Sequence, residues 1–171
     1  MTAPISEQDV RTFVGGQAAN YYLKVWESAL NGSGRASGFN IAAFFLAGFW
    51  LPYRKMYKAT LILYGSFLVE TVIADVLFMD ILKMQESPAL WDHLVTLIVG
   101  IVCGICANGW YLSHTRGVIA KVRAQEVQGH AYERALAARG GTSLRASLGM
   151  FFLFLVATFM KGFVFGPFGT L

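Results

Sequence analysis

Apolar residues run unbroken by any formal charge over the 23 residues between Asp92 and Arg116, beginning His-Leu-Val-Thr-Leu-Ile-Val-Gly-Ile-Val. As a helix this stretch would be about 34 Å long, enough to cross a hydrocarbon core of about 30 Å. A soluble helix of that length would need a polar face, and this one has none, so the pattern predicts a transmembrane span over about 93–112. A second predicted span runs from about Met56 to Leu82, with Lys58 at its start and Glu70, Asp75 and Asp80 along it. A third runs from Leu144 to about Phe165, interrupted only by Lys161 and closed by Gly166-Pro167. Phe39–Tyr53 is equally apolar but only 15 residues long, contains Pro52 and is followed at once by Arg54-Lys55. It is too short for a comfortable crossing and reads as a re-entrant or interfacial helix.

Outside these runs the period changes. Ser6 and Asp9 have capping-box spacing, Val10, Phe13 and Val14 follow at i, i+3, i+4, and Gly15-Gly16 ends the turn. Tyr22, Val25, Trp26 and Ala29 mark a second amphipathic helix between Asn20 and Leu30, and Asn31–Gly38 is a connector by composition. Ser113–Arg139 is an Ala-rich basic arm punctuated by Gly140-Gly141. The expected organisation is therefore an interfacial segment (1–38), a membrane region (39–112), a basic arm (113–143) and a final span with the C-terminus (144–171). The fold class is all-α: a polytopic helical membrane protein with three spans, one short re-entrant or interfacial helix, and cytoplasmic amphipathic helices.

Composition agrees with that class. Of 171 residues 56% are hydrophobic and only 14% charged, against about 25% charged in an average globular chain. The net charge of +4 is unevenly spread. Arg54, Lys55 and Lys58 precede the first full span in chain order, and Arg116, Lys121, Arg123, Arg134, Arg139 and Arg145 follow the second, whereas Lys83, Glu86 and Asp92 leave the intervening loop net acidic. The positive-inside rule then predicts a cytoplasmic N-terminus and arm, an external Lys83–Asp92 loop and a periplasmic C-terminus. The first 30 residues hold no apolar signal-peptide core. Basic flanks of this kind meet anionic headgroups, so membrane lipids are the expected contact, and with no recognition fold nucleic acid is not.

Candidate chemistry is sparse. Cys103 and Cys106 have C-x-x-C spacing, but no second pair accompanies them, and Gly100, Cys103, Gly104 and Ala107 form one small-residue face suited to close helix packing. Glu70 lies mid-span, where a carboxylate costs on the order of 3 kcal/mol unless it is paired or protonated. Asp75, Asn108 and Lys161 are the other intramembrane polar candidates. They make either a structural network or a relay for protons or ions. His93, His114 and His130 sit at mismatched depths for a bis-His haem, so no cofactor or metal is expected. Tyr53-Arg54-Lys55-Met56-Tyr57 is either an interfacial anchor or a docking site for anionic lipid or protein. Together with Phe39, Asn40, Phe45, Phe49 and Trp50 it forms the candidate docking element. Trp50 and Arg54, four residues apart, are expected to share a helix face directed at a partner.

The stretch Gly38-Phe39-Asn40-Ile41-Ala42-Ala43-Phe44-Phe45, with Phe49-Trp50 and Tyr53-Arg54-Lys55-Met56-Tyr57, resembles a bacterial inner-membrane family catalogued as domain of unknown function 2628. Phe13-Val14-Gly15, Tyr21-Tyr22, Asn108, Tyr111, His114 and Gly140-Gly141-Thr142-Ser143 extend the resemblance over most of the chain. This sequence has Ile41 where the family usually shows Trp, Ala47-Gly48 where it favours Gly-Pro, and Pro52 where an apolar residue is commoner. The resemblance implies a small helical membrane protein and supplies no reaction. With no nucleophile–base pair, phosphate loop or metal cluster in the sequence, the expectation is a non-enzymatic accessory, scaffold or assembly subunit of a larger inner-membrane complex, bound to other membrane-protein subunits. The alternative is a small oligomeric transporter or channel using Glu70 and Asp75.

Overall fold

A computed structural model describes residues 5–32, 34–126 and 128–165, with side chains up to Met160. The described residues form helices throughout, with no strand: α1 (Glu7–Val14), α2 (Ala18–Leu30), α3 (Ile41–Tyr53), α4 (Tyr57–Asp75, extended by a π-helical turn over Val76–Ile81), α5 (Ala89–Arg123), α6 (Gly129–Arg139) and α7 (Leu144–Phe165). Three of them are long and apolar enough to cross a membrane. The protein is thus an all-α chain of the polytopic membrane class.

The longest helix organises the rest. At 35 residues α5 is about 52 Å long, well beyond a hydrocarbon core of about 30 Å. Its surface changes character part way along. Leu94, Leu97, Ile98, Ile101 and Ile105 are exposed, as lipid-facing side chains are, whereas Asn108, Tyr111, Thr115, Ile119 and Val122 are buried. The stretch from Ala89 to Asn108 covers about 29 Å and suffices to cross. The remainder is the spine of a compact cap. The helix does not stop near 112, because its buried apolar positions simply exchange lipid for protein, and no helix breaker intervenes.

The cap is built by α1, α2 and α6 around that spine. Val10, Phe13, Trp26, Ile119, Val122 and Leu136 are each almost fully buried in one core. Ser6 and Asp9 close the capping box of α1, the Ser6 hydroxyl accepting from the Asp9 amide and the Asp9 carboxylate from the Ser6 amide. The same carboxylate accepts from Arg123 Nη2 and from the Tyr132 hydroxyl, both at 2.7 Å, and so ties α1 to α5 and α6. Gly140 lies so close to the Phe13 carbonyl that a Cβ would collide with it, and the Gly141 amide donates to that carbonyl. The helices that carry the basic residues after 112 are therefore packed into the cap rather than strung out as a separate arm, with Arg123 half-buried against Asp9 and Arg116, Lys121, Arg134 and Arg139 exposed on the surface.

The short helix α3 occupies the centre of the membrane region, against α4, α5 and α7. It begins where the Asn40 amide donates to the Gly104 carbonyl at 2.7 Å, and Phe44 lies deeper, against Gly100. The backbone breaks at Leu46 (φ −127°, ψ 32°). The second half returns: the Trp50 ring is 6.0 Å from that of Tyr111, and the Tyr53 carbonyl accepts from the Ser143 amide at the start of α7. Both ends of α3 thus face the cap, and the element is re-entrant. Pro52 removes the amide that would have bonded the Gly48 carbonyl, and the Tyr64 hydroxyl of α4 takes that acceptor at 2.6 Å.

Candidate functional site

The junction between α3 and the cap gathers most of the residues singled out in the sequence. Asn40 is the N-cap of α3, its side-chain oxygen accepting from the Ala43 amide. Its side-chain amide donates to Asn108 Oδ1 at 3.0 Å, and Asn108 Nδ2 in turn reaches the Ser37 and Gly38 carbonyls and the Tyr21 hydroxyl. The Asn108 backbone carbonyl accepts from the Trp26 indole. One buried side chain on α5 therefore fixes the connector, the entry of α3 and the seat of α2.

Below this hub the small residues of α5 receive α3. A Cβ at Gly104 would run into the Phe39 ring, and one at Gly100 would crowd the Phe44 carbonyl at 3.0 Å. Cys103 and Ala107 complete the buried face. Both cysteines are free thiols, Cys103 buried and Cys106 half-buried. Among the described residues no group of three or more His, Cys, Asp or Glu side chains is placed to hold a metal.

Trp50 and Arg54 do share a face, but it points inward. They are 6% and 9% exposed and pack against Tyr22 and Tyr111 of the cap, so neither is available as an external hot spot. The i, i+4 spacing identifies a face and leaves open what covers it, and here the cap does. Asn40 is also internal, Phe49 is half-buried against Phe151 with ring centroids 4.3 Å apart, and Lys55 Nζ donates to the Ala138 carbonyl. The exposed apolar residues of the docking element are instead Phe45 (73% exposed), Phe39, Ile41, Leu46, Tyr53 and Tyr57.

Two of the intramembrane polar candidates lie at opposite ends of the spans. Glu70 accepts from the Trp91 indole at 2.6 Å, across α4 and α5 near the far end of the spans. Asn108 belongs to the hub at the opposite end, so the two are not partners. Asp75 is half-buried further along α4, and the Lys161 side chain lies outside the described residues.

Electrostatics in the cap are set by few groups. Burial pushes the Asp9 carboxyl up, but the hydrogen bonds from Tyr132 and Ser6 and the charge of Arg123 outweigh it and hold Asp9 below the ordinary carboxylate range. Burial raises the Tyr22 phenol, against the pull of the Arg54 guanidinium 4.9 Å from its ring.

The sequence reading missed the Asp9–Arg123–Tyr132 link, the Trp26 and Trp91 indole bonds, and the role of Tyr64. Only the last had a local signal: a proline inside a helix leaves a carbonyl in need of a donor. The others join residues 21 to 123 positions apart, and nothing local marks them.

Fold and site together define a small polytopic helical membrane protein with a re-entrant helix clamped beneath a helical cap. The chain belongs to the family of proteins of unknown function DUF2628, whose profile matches residues 26–116. The matched segment opens at Trp26, holds Asn40, Trp50, Arg54 and Asn108, and closes at Arg116, so it contains most of the junction, with Tyr21, Tyr22 and Ser143 outside it. No curated protein and no solved structure matches the chain.

Proposed function

We propose that this protein is a non-catalytic accessory or assembly subunit of a larger bacterial inner-membrane complex, with α3 as its partner-facing element. One observation carries the reading. The helix break at Leu46 lies on the membrane side of the junction, beside Phe45 and with Leu46 itself 55% exposed. Interrupted backbone at membrane depth is tolerated where protein or a water-filled cavity covers it, and not against lipid. The aromatic and aliphatic side chains around the break suit an apolar covering, which is to say a helix of another membrane protein.

The basic residues on the cap side and the acidic Lys83–Asp92 loop orient the chain with its cap in the cytoplasm, and three crossings then bring the end of α7 to the periplasm. The alternative, an oligomeric transporter, has Glu70 and Asp75 as its pathway. It is less well supported because the Glu70 carboxylate is already engaged by the Trp91 indole.

The test is co-purification from native membranes in mild detergent. Wild type should run with at least one other membrane protein, and Ile41→Ala with Phe45→Ala should lose that partner at unchanged membrane abundance. A wild-type protein that purifies alone, or a double variant that keeps the partner, would overturn the proposal.

A further inference from the structure

Among the described residues Arg54 is a buried cation without an anion. It is 9% exposed, its Nε and Nη1 are sealed from solvent with no hydrogen-bond partner, and among the described residues no carboxylate pairs with it. Three tyrosine rings surround the guanidinium, Tyr22 at 4.9 Å, Tyr111 at 5.2 Å and Tyr53 at 5.9 Å. Ring faces offset part of the charge by cation–π attraction. They leave Nε and Nη1 without a well-formed bond to an acceptor, and burying such donors unpaired is costly. The Tyr111 hydroxyl is buried beside them within reach of the guanidinium, but no well-formed hydrogen bond joins it to Arg54 or to any other described residue. Two orphaned guanidinium nitrogens and an orphaned hydroxyl in one cage call for the same thing: a compact group with several acceptor oxygens and a negative charge.

We infer that the Arg54–Tyr111 cage is an oxyanion site at the junction of cap and membrane, taking a phosphate group. Water would answer the hydrogen bonds but not the charge, whereas a phosphate oxygen answers both through charge-assisted bonds. Tyr53 is the one wall of the cage that is well exposed, at 37%, and it stands at the end of α3 where the chain leaves the membrane region. Entry is therefore past the Tyr53 ring, at the level of lipid headgroups. The phosphate has two sources, the phosphodiester of an anionic phospholipid and free inorganic phosphate. This site does not depend on the partner of α3.

The experiment is thermal unfolding of the full chain in nanodiscs of phosphatidylcholine alone, in nanodiscs of phosphatidylcholine and phosphatidylglycerol in equal parts, and in neutral detergent with and without inorganic phosphate. A lipid source raises Tm in the phosphatidylglycerol discs and leaves it unmoved by inorganic phosphate in detergent. A free-anion source raises it with inorganic phosphate in detergent. In either case Arg54→Met should abolish the rise. Tyr111→Phe, which keeps the ring and removes only the hydroxyl, should weaken apparent affinity about tenfold, as loss of a hydrogen bond to a charged group does. A Tm unmoved by both sources would overturn the inference, as would a rise unchanged in Tyr111→Phe. The second variant keeps the question decidable even if Arg54→Met does not fold.

Discussion

Asn108 ties the junction together through polar contacts, reaching the Asn40 side-chain amide, the Ser37 and Gly38 carbonyls and the Tyr21 hydroxyl. Removing it leaves the buried Asn40 amide without its acceptor, and a buried group left unpaired costs about 1–3 kcal/mol. Asn108→Ala should therefore lower stability by about 1–3 kcal/mol, read as a fall in the unfolding midpoint in detergent. Asn40→Ala removes the same bond and a helix cap, so the double variant should be much less damaged than the two losses summed. Asp9 acts in the cap through charge, and its effect has a sign in pH. Its folded value lies below the ordinary carboxylate value of 3.8, so its stabilisation is complete above that value and is lost as the pH falls through the lower, folded one. Asp9→Asn should be less stable than wild type at neutral pH, and the gap should close in acid. A gap that does not change with pH would mean that Tyr132, Ser6 and Arg123 together do not favour the ionised carboxylate. Asn108 and Asp9 were both visible in the sequence, Asp9 as a cap and Asn108 as a polar residue in an apolar helix. Their long-range partners were not, because neither spacing nor composition encodes a bond across the fold.

Among the helices, α3 tests the physical account most sharply. Its shortness and its proline already mark it as an element that does not cross, and the structure supplies the means: a break at Leu46 and a foreign donor for the carbonyl that Pro52 strands. Tyr64→Phe should cost about 1–3 kcal/mol by leaving the Gly48 carbonyl unpaired. Pro52→Ala restores a backbone N–H for that carbonyl, so it should recover most of the loss in the Tyr64→Phe background. Two independent, additive effects in a double-mutant cycle would contradict the pairing. The face of α3 that carries Trp50 and Arg54 was legible as a face, yet its direction was not. An aromatic and a cation suit an external anchor and an internal cage equally well, and only the presence of Tyr22 and Tyr111 decides between them. For α5, likewise, the crossing could be read from length, but the point where lipid gives way to cap could not, since both are apolar surroundings for the same periodic side chains.

The molecule as a whole is a firmly packed cap on spans that bury little of themselves: only 11%, 17% and 6% of their most apolar windows are covered within the chain. Its orientation is open to single-cysteine labelling in a variant with Cys103 and Cys106 replaced by Ala. A membrane-impermeant thiol reagent added to intact cells should label Gln85→Cys and spare Gln128→Cys, both of which are exposed positions; the reverse pattern would invert the topology. What the uncovered surface meets is the central question, and photocrosslinking from Phe45 in native membranes addresses it directly, with lipid-facing Leu153 on α7 as the reference position. A photoreactive side chain at Phe45 should capture a different membrane protein while one at Leu153 captures lipid. Capture of lipid alone from both positions, or only of a second copy of this chain, would contradict the accessory role.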